Sequence, residues 1–350
     1  MYHSFQITDN IYYVGVNDRR KSLFENQLPL PHGVSYNAYL ILDEKVALID
    51  TADFGMADIF LKKIENTLNG RTIDYLIINH MEPDHSGSIR LIRERYPDVR
   101  LIGNAKTLEM VKGYFGITDG LQEVKDGEIL ELGKHRLQFV LTPMLHWPET
   151  MMTYELTQQI LFSGDAFGTF GALNGGVVDE SMNTDVFWDE MRRYYACIVG
   201  KYAAPVQKAF EKLQGIALNY ICTTHGPVWR QQIARVLDSY KQWSLYQGVP
   251  GVVIAYGTHR SKDDSEESKK DLIQHLTIIR ENSRFQADSL KNVNSPLIIV
   301  DEQEHTASFN SLNPNDIHDI TILKDASATS LYGEKGKNGV IIVNTKKATP

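Results

Sequence analysis

The sequence predicts an α/β fold, and three observations carry that reading. From the N-terminus to about residue 230, short apolar runs alternate with longer amphipathic stretches. The apolar runs end in turn-forming residues, and several of those turns hold histidines and carboxylates. Hydrophobic residues make up 42% and charged residues 23% of the 350, the proportions of a globular chain rather than a disordered or fibrous one.

Taken in order, the strands expected are Tyr39–Leu42, Val46–Ile49, Tyr75–Ile78, Leu137–Leu141 with alternating apolar residues, Ile160–Phe162 and Tyr220–Cys222. Helices fit 56–68, 86–96, 105–113 and 188–214, the last broken near Pro205 because proline removes a helical donor. A further helix over 230–246 sets Ile233, Val236, Leu237, Tyr240 and Trp243 on one face, as core positions. One more strand, Gly251–Tyr256, follows. In the next stretch, Lys262–Asp271, eight of ten residues are charged, which reads as a solvated linker. From Pro296 a compact pattern resumes with strands Leu297–Val300 and Ile317–Leu323, a helix Ala326–Tyr332 and a strand Val340–Val343. The expected organisation is a main domain over 1–250, a strand and charged linker over 251–290, and a small α+β module over 291–350.

Composition also excludes classes of function. With 36 Lys and Arg against 44 Asp and Glu the net charge is −8, so no global positive field holds a nucleic acid. Two cysteines, Cys197 and Cys222, are too few for a disulfide scaffold, a four-cysteine zinc site or a cysteine-held iron–sulfur cluster. No apolar run approaches the ~18 residues of a spanning helix, and the first fifteen residues lack the basic and apolar regions of a signal peptide. No membrane association and a cytoplasmic address are expected.

The strongest chemical signal is His80-Met81-Glu82-Pro83-Asp84-His85, directly after the Tyr75–Ile78 strand. Four potential metal ligands stand within six residues. In an extended loop alternate residues share a side, so His80 and Glu82 can converge on one ion while Asp84 and His85 turn toward another. His146, Asp165 and His225 each follow a predicted strand in the same way. Any one alone reads as an ordinary polar loop residue. Together they make two sets of two histidines and a carboxylate, with one carboxylate left to bridge, which suits two metals about 3.5–4 Å apart.

These residues, with Asn37-Ala-Tyr-Leu40 and Leu48-Ile-Asp-Thr51, resemble the metallo-β-lactamase fold, an αββα sandwich with a dinuclear site at one edge. Most of that superfamily has histidine where this chain has Glu82. The pattern His-x-Glu-x-Asp-His, His146-Trp-Pro-Glu149, Leu161-Phe-Ser-Gly-Asp165-Ala-Phe-Gly168, Tyr194-Tyr195 and His225-Gly-Pro-Val-Trp-Arg230 is similar to the flavodiiron proteins, or A-type flavoproteins, over about residues 1–250. The resemblance implies that His80, Glu82 and His146 bind one iron, that Asp84, His85 and His225 bind the other, and that Asp165 bridges them. It implies reduction of dioxygen to water or of nitric oxide to nitrous oxide in a homodimer. A carboxylate in place of a zinc-favouring histidine agrees with iron, since it leaves each metal two nitrogens and a hard oxygen; zinc remains an alternative occupant.

The family continues into a flavodoxin-like domain that holds FMN. Here the strand Val252–Thr258 is followed by His259-Arg-Ser-Lys-Asp-Asp264 rather than by a phosphate-cradling loop, so FMN is not expected and an external donor, such as a rubredoxin or a flavin reductase, is. The C-terminal module instead resembles the plug domain of TonB-dependent receptors, through Pro296–Asp301, Leu312–Ile317, Ile322–Thr329, Tyr332-Gly333 and Asn338–Val343. Two other readings fit the residues: a dimetal hydrolase using a metal-bound hydroxide, and an interaction protein with an idle metal site. Tyr194, Tyr195 and Trp147 are candidates to line a pocket for the diatomic.

Overall fold

The computed structural model describes residues 3–246, 297–306, 317–323, 325–337 and 340–345. The chain divides into two compact units, Met1–Gly248 and Val249–Pro350. The strand expected at 251–256 and the charged stretch after it lie outside the described residues.

In the first unit a seven-stranded sheet runs in the order Phe5–Thr8, Ile11–Tyr13, Tyr39–Leu42, Val46–Ile49, Tyr75–Ile77, Arg100–Gly103, Leu121–Glu123. Neighbours pair antiparallel as far as Val46–Ile49 and parallel from there on. Parallel neighbours need a crossover, and helices Ala57–Leu68, Ile89–Arg95 and Ala105–Phe115 supply it. A second, five-stranded sheet runs Ile129–Glu131, Arg136–Leu141, Met151–Glu155, Ile160–Gly164, Tyr220–Thr223, with only the last pair parallel.

One hydrophobic core takes residues from both sheets, among them Leu48, Ile77, Phe139, Leu161 and Ile221, all fully buried. The αββα sandwich implied by the resemblance is the fold observed. The helix Ala57–Leu68 shows why: Phe60, Ile64 and Leu68 recur every fourth residue and are all buried, each contributing about 1.5–3 kcal/mol. Asn69 then turns left-handed, φ 47°, and ends the helix. The strand Met151–Glu155 has no clear sequence signal, because Thr153 and Glu155 interrupt the apolar run although all five residues are buried.

The long helix expected over 188–214 is two helices, Asp185–Tyr194 and Ala203–Leu213. The break is not at Pro205. A π-helical turn, Tyr195–Val199, and a 3-10 turn, Gly200–Tyr202, separate the two, and Pro205 is the third residue of the second helix. In a first turn the missing N–H has no helical acceptor to lose, so proline is tolerated.

The second unit contains a sheet in the order Gln303–Glu304, Leu297–Val300, Val340–Thr345, Ile317–Leu323, with a helix Asp325–Tyr332. Among the described residues, Ile299, Ala328 and Val340 form its buried hydrophobic cluster. No helix among the described residues is long and apolar enough to cross a membrane.

Candidate metal centre

Loops at the ends of four strands build one buried cluster. After Tyr75–Ile77 a short loop carries His80 and Glu82, and then Pro83 opens a short helix, Pro83–Ser86. Proline suits that first helical position, and Glu82 is the residue that caps it. The helix expected over 86–96 is observed as Ile89–Arg95, and this separate short helix precedes it, so Asp84 and His85 are presented by a helical turn rather than by an extended loop.

The structure brings all seven expected residues together, each of them buried. Candidate ligand atoms of His80, Glu82, His146 and Asp165 lie within 4.8 Å of one another, and so do those of Asp84, His85 and His225. Asp165 stands between the two groups. Its Oδ2 is 3.0 Å from His146 Nε2 and 3.7 Å from His80 Nε2, whereas its Oδ1 is 2.9 Å from His85 Nε2 and 3.8 Å from His225 Nε2. Thr224 Oγ1 donates to Asp165 Oδ1 at 2.6 Å and holds the carboxylate in that orientation.

Several of these groups approach closely without bonding to each other. His225 Nε2 is 3.1 Å from Asp84 Oδ2, and His85 Nε2 is 2.9 Å from Asp165 Oδ1, yet neither ring nitrogen makes a hydrogen bond there and neither oxygen of Asp84 has a partner. Buried polar atoms left this way cost about 1–3 kcal/mol each. In the Asp84–His85–His225 group the lone pairs converge on a shared point rather than on each other, as a cation requires, and the His80–Glu82–His146–Asp165 group gathers two imidazoles and two carboxylates within 4.8 Å, so the donor sets fit two metal ions.

Electrostatics within the cluster are strong. Burial opposes a charge on His85, but Asp84 and Asp165 outweigh it and push the imidazole up to about 9. Burial likewise opposes a charge on His146, and hydrogen bonds with Asp165 and Glu82 raise it to about 9. The same contacts act in reverse on the acids: against their burial, His146 and His80 hold Glu82, and His85 and His146 hold Asp165, well below the usual carboxylate range.

The supports around the cluster were mostly not legible in the sequence. His225 donates Nδ1–H to Ser35 O at 2.6 Å, which leaves Nε2 facing inward, and Gly226 N donates to Ser35 Oγ at 2.7 Å. Asn37 Nδ2 clamps the same loop through Thr223 O and Gly226 O, at 2.9 and 2.8 Å. Gly226 is left-handed, φ 77°, and a Cβ there would stand 2.8 Å from Thr169 Cγ2, so only glycine fits. His80 Nδ1 is 2.8 Å from Glu149 Oε1, and the Glu149 backbone carbonyl accepts from Asn104 Nδ2 at 2.5 Å. A carboxylate three residues after His146 was the available signal for Glu149.

Glu25, in the turn between Leu23–Phe24 and Leu28–Pro29, was also missed. A side-chain hydrogen bond with Glu82, then partial burial, pushes it up to about 7. Of the three candidate aromatics, Trp147 lies 5.3 Å from the His80 ring and Tyr194 5.6 Å from the His225 ring. Tyr195 does not join them. The π-helical turn it begins sets its ring against Tyr240 and Trp243, at 5.0 and 5.2 Å.

The sandwich and the strand-end cluster at its edge define a protein of the metallo-β-lactamase class. A family model described as "ODP family beta lactamase" matches residues 34–226, more than half of the chain, and the chain belongs to that family. Among curated relatives it is similar to a nitric oxide reductase from Moorella thermoacetica, 34% identical over 256 residues that cover 72% of this chain and 64% of that one. Among solved structures it is similar to the flavodiiron protein from Giardia intestinalis, with a TM-score of 0.67 and 28% identity over 70% of this chain and 60% of that one. Rubredoxin oxygen:oxidoreductase from Desulfovibrio gigas gives a TM-score of 0.66 and 32% identity, covering 69% of this chain and 61% of that one. The chain thus spans under two thirds of the length of these relatives.

Proposed function

We propose that residues 1–250 are a diiron oxidoreductase domain in which His80, Glu82 and His146 hold one iron, Asp84, His85 and His225 hold the other, and Asp165 bridges them. The observation that carries this reading is the division of Asp165, with one carboxylate oxygen toward each histidine group. Iron ions held by these residues would relay electrons from the donor to a diatomic, which suits the reduction of dioxygen to water or of nitric oxide to nitrous oxide. The similarity to a nitric oxide reductase and to a rubredoxin oxygen:oxidoreductase supports both substrates. The protein's own contribution is to exclude water by burial and to orient each donor: Ser35 O and Glu149 Oε1 hold the outward nitrogens of His225 and His80, and Thr224 fixes Asp165. Glu82 favours this reading over a zinc hydrolase, because a carboxylate gives the first metal position a harder oxygen donor.

Electrons come from a separate donor, such as a rubredoxin or a flavin reductase, because His259–Asp264 is not a phosphate-binding loop and the chain carries no FMN of its own in this reading. A cytoplasmic homodimer belongs to the same reading. The resemblance of residues 291–350 to a receptor plug adds no activity to it.

Metal and flavin analysis followed by rapid mixing tests the proposal. Protein produced with iron available should hold about two irons per chain and no flavin. Reduced chemically without oxygen, it should reoxidise on mixing with oxygen or nitric oxide far faster than free ferrous ion does. Reoxidation at the rate of the free ion sinks the oxidoreductase reading, and two zincs with hydrolytic turnover would favour the hydrolase.

A further inference from the structure

Glu149 lies behind the cluster rather than in it. It is fully buried, its Oε1 is 2.8 Å from His80 Nδ1, and the same oxygen accepts from Met81 N at 3.0 Å. The outward nitrogens of the other group have different surroundings: His225 Nδ1 meets the neutral carbonyl of Ser35 at 2.6 Å, and His85 Nδ1 makes no hydrogen bond. One group is thus backed by a negative charge and the other by a dipole.

We infer that Glu149 is a positioning residue that makes the His80–Glu82–His146 position the tighter of the two metal positions. A carboxylate that accepts Nδ1–H leaves the Nε2 lone pair pointing inward, where it stands 3.2 Å from Glu82 Oε2. The carboxylate's charge also makes the imidazole a more basic ligand than one bonded to a carbonyl. Asn104, which caps the helix Ala105–Phe115, holds the backbone of Glu149 through its Nδ2, so the support is tied to a rigid element. The inference rests on the metal-centre reading above.

Glu149→Gln is the informative change, because its side-chain oxygen can still accept from His80 and Met81 while the charge is lost. Two backgrounds separate the positions: His225→Ala disables one and leaves the His80 position, and His80→Ala does the reverse. Metal-free protein would be titrated with Co²⁺ alone, read by calorimetry and by the visible ligand-field absorption of the bound ion. Adding Glu149→Gln should weaken binding about 10–100-fold in the His225→Ala background and leave it unchanged in the His80→Ala background. Equal losses in both backgrounds would mean that Glu149 only supports the fold, and no loss in either would mean that its charge is not felt; each outcome overturns the inference. If the Gln variant does not fold, Glu149→Asp, which keeps the charge but draws it back, should show the same selective loss to a smaller degree. Unsubstituted protein that binds no Co²⁺ would count against the metal-centre reading instead.

Discussion

Thr153 Oγ1 donates to Asn79 Oδ1 at 2.8 Å, joining residues 74 positions apart. Asn79 in turn donates through its backbone N and its Nδ2 to the two oxygens of Asp50, at 2.8 and 3.1 Å. Asp50 follows the Val46–Ile49 strand of one sheet, and Thr153 lies in the Met151–Glu155 strand of the other. A buried polar chain therefore ties the two sheets together one residue before His80. Burial pushes the Asp50 carboxyl up to about 6 in spite of those bonds.

The first prediction concerns that tie. Thr153→Val keeps the side-chain shape but strands Asn79 Oδ1, and should cost about 1–3 kcal/mol in thermal unfolding while metal content stays near wild type. Asn79→Ala removes the side-chain bonds to both Thr153 and Asp50 Oδ2 and should cost more. A Thr153→Val protein with an unshifted melting temperature would show that the bond does not support the fold.

A second prediction concerns pH. Glu155 is buried, and although burial opposes its ionisation, His135 Nδ1 at 3.0 Å and the backbone N–H groups of Gln158 and Thr157 hold its carboxyl below the usual value. A depressed folded pKa gives stability that is present above the unfolded value, about 4.3, and lost as pH falls through the folded one. Glu155→Gln should therefore be less stable than wild type at pH 7, with the gap narrowing below about pH 4.5. Denaturant titrations from pH 3 to 7 measure it; a gap that does not change with pH contradicts the argument.

Removing the shared carboxylate is the third test. Asp165→Ala leaves two cations facing each other without the negative charge between them, so it should lose both metals rather than one. Metal analysis after gel filtration reads this directly, and full retention of two metals would remove Asp165 from the bridging role.

The fourth prediction concerns the second unit. Residues up to Gly248 form a compact unit with an extensive hydrophobic core of its own. A chain ending at Gly248 should therefore remain folded, keep its metals and melt within a few degrees of the full chain. Truncated protein that is insoluble or metal-free would show that the C-terminal residues support the sandwich.

Within this chain, what could be read locally was read correctly where a pattern sits in consecutive residues. Apolar runs such as Tyr39–Leu42 and Val46–Ile49 are strands at the expected positions, and the helix Ala57–Leu68 announces its buried face every fourth residue. The dense run from His80 to His85 marked a metal-capable loop by composition alone. Where polar residues interrupt the apolar run, as Thr153 and Glu155 do in Met151–Glu155, or where the backbone departs from a regular helix, as at Tyr195–Val199, the residues carry no such signal.

By itself the sequence determined the α/β class and the polar residues at the strand ends, because both depend on neighbours within a few positions. Tertiary structure alone decided which oxygen of Asp165 faces which histidines, that Glu149 backs His80 across 69 positions, and that Tyr195 turns away from the cluster. Those relationships depend on sheet register and on how the two sheets stack, which bring residues together to within a few ångströms without leaving a trace in their spacing along the chain.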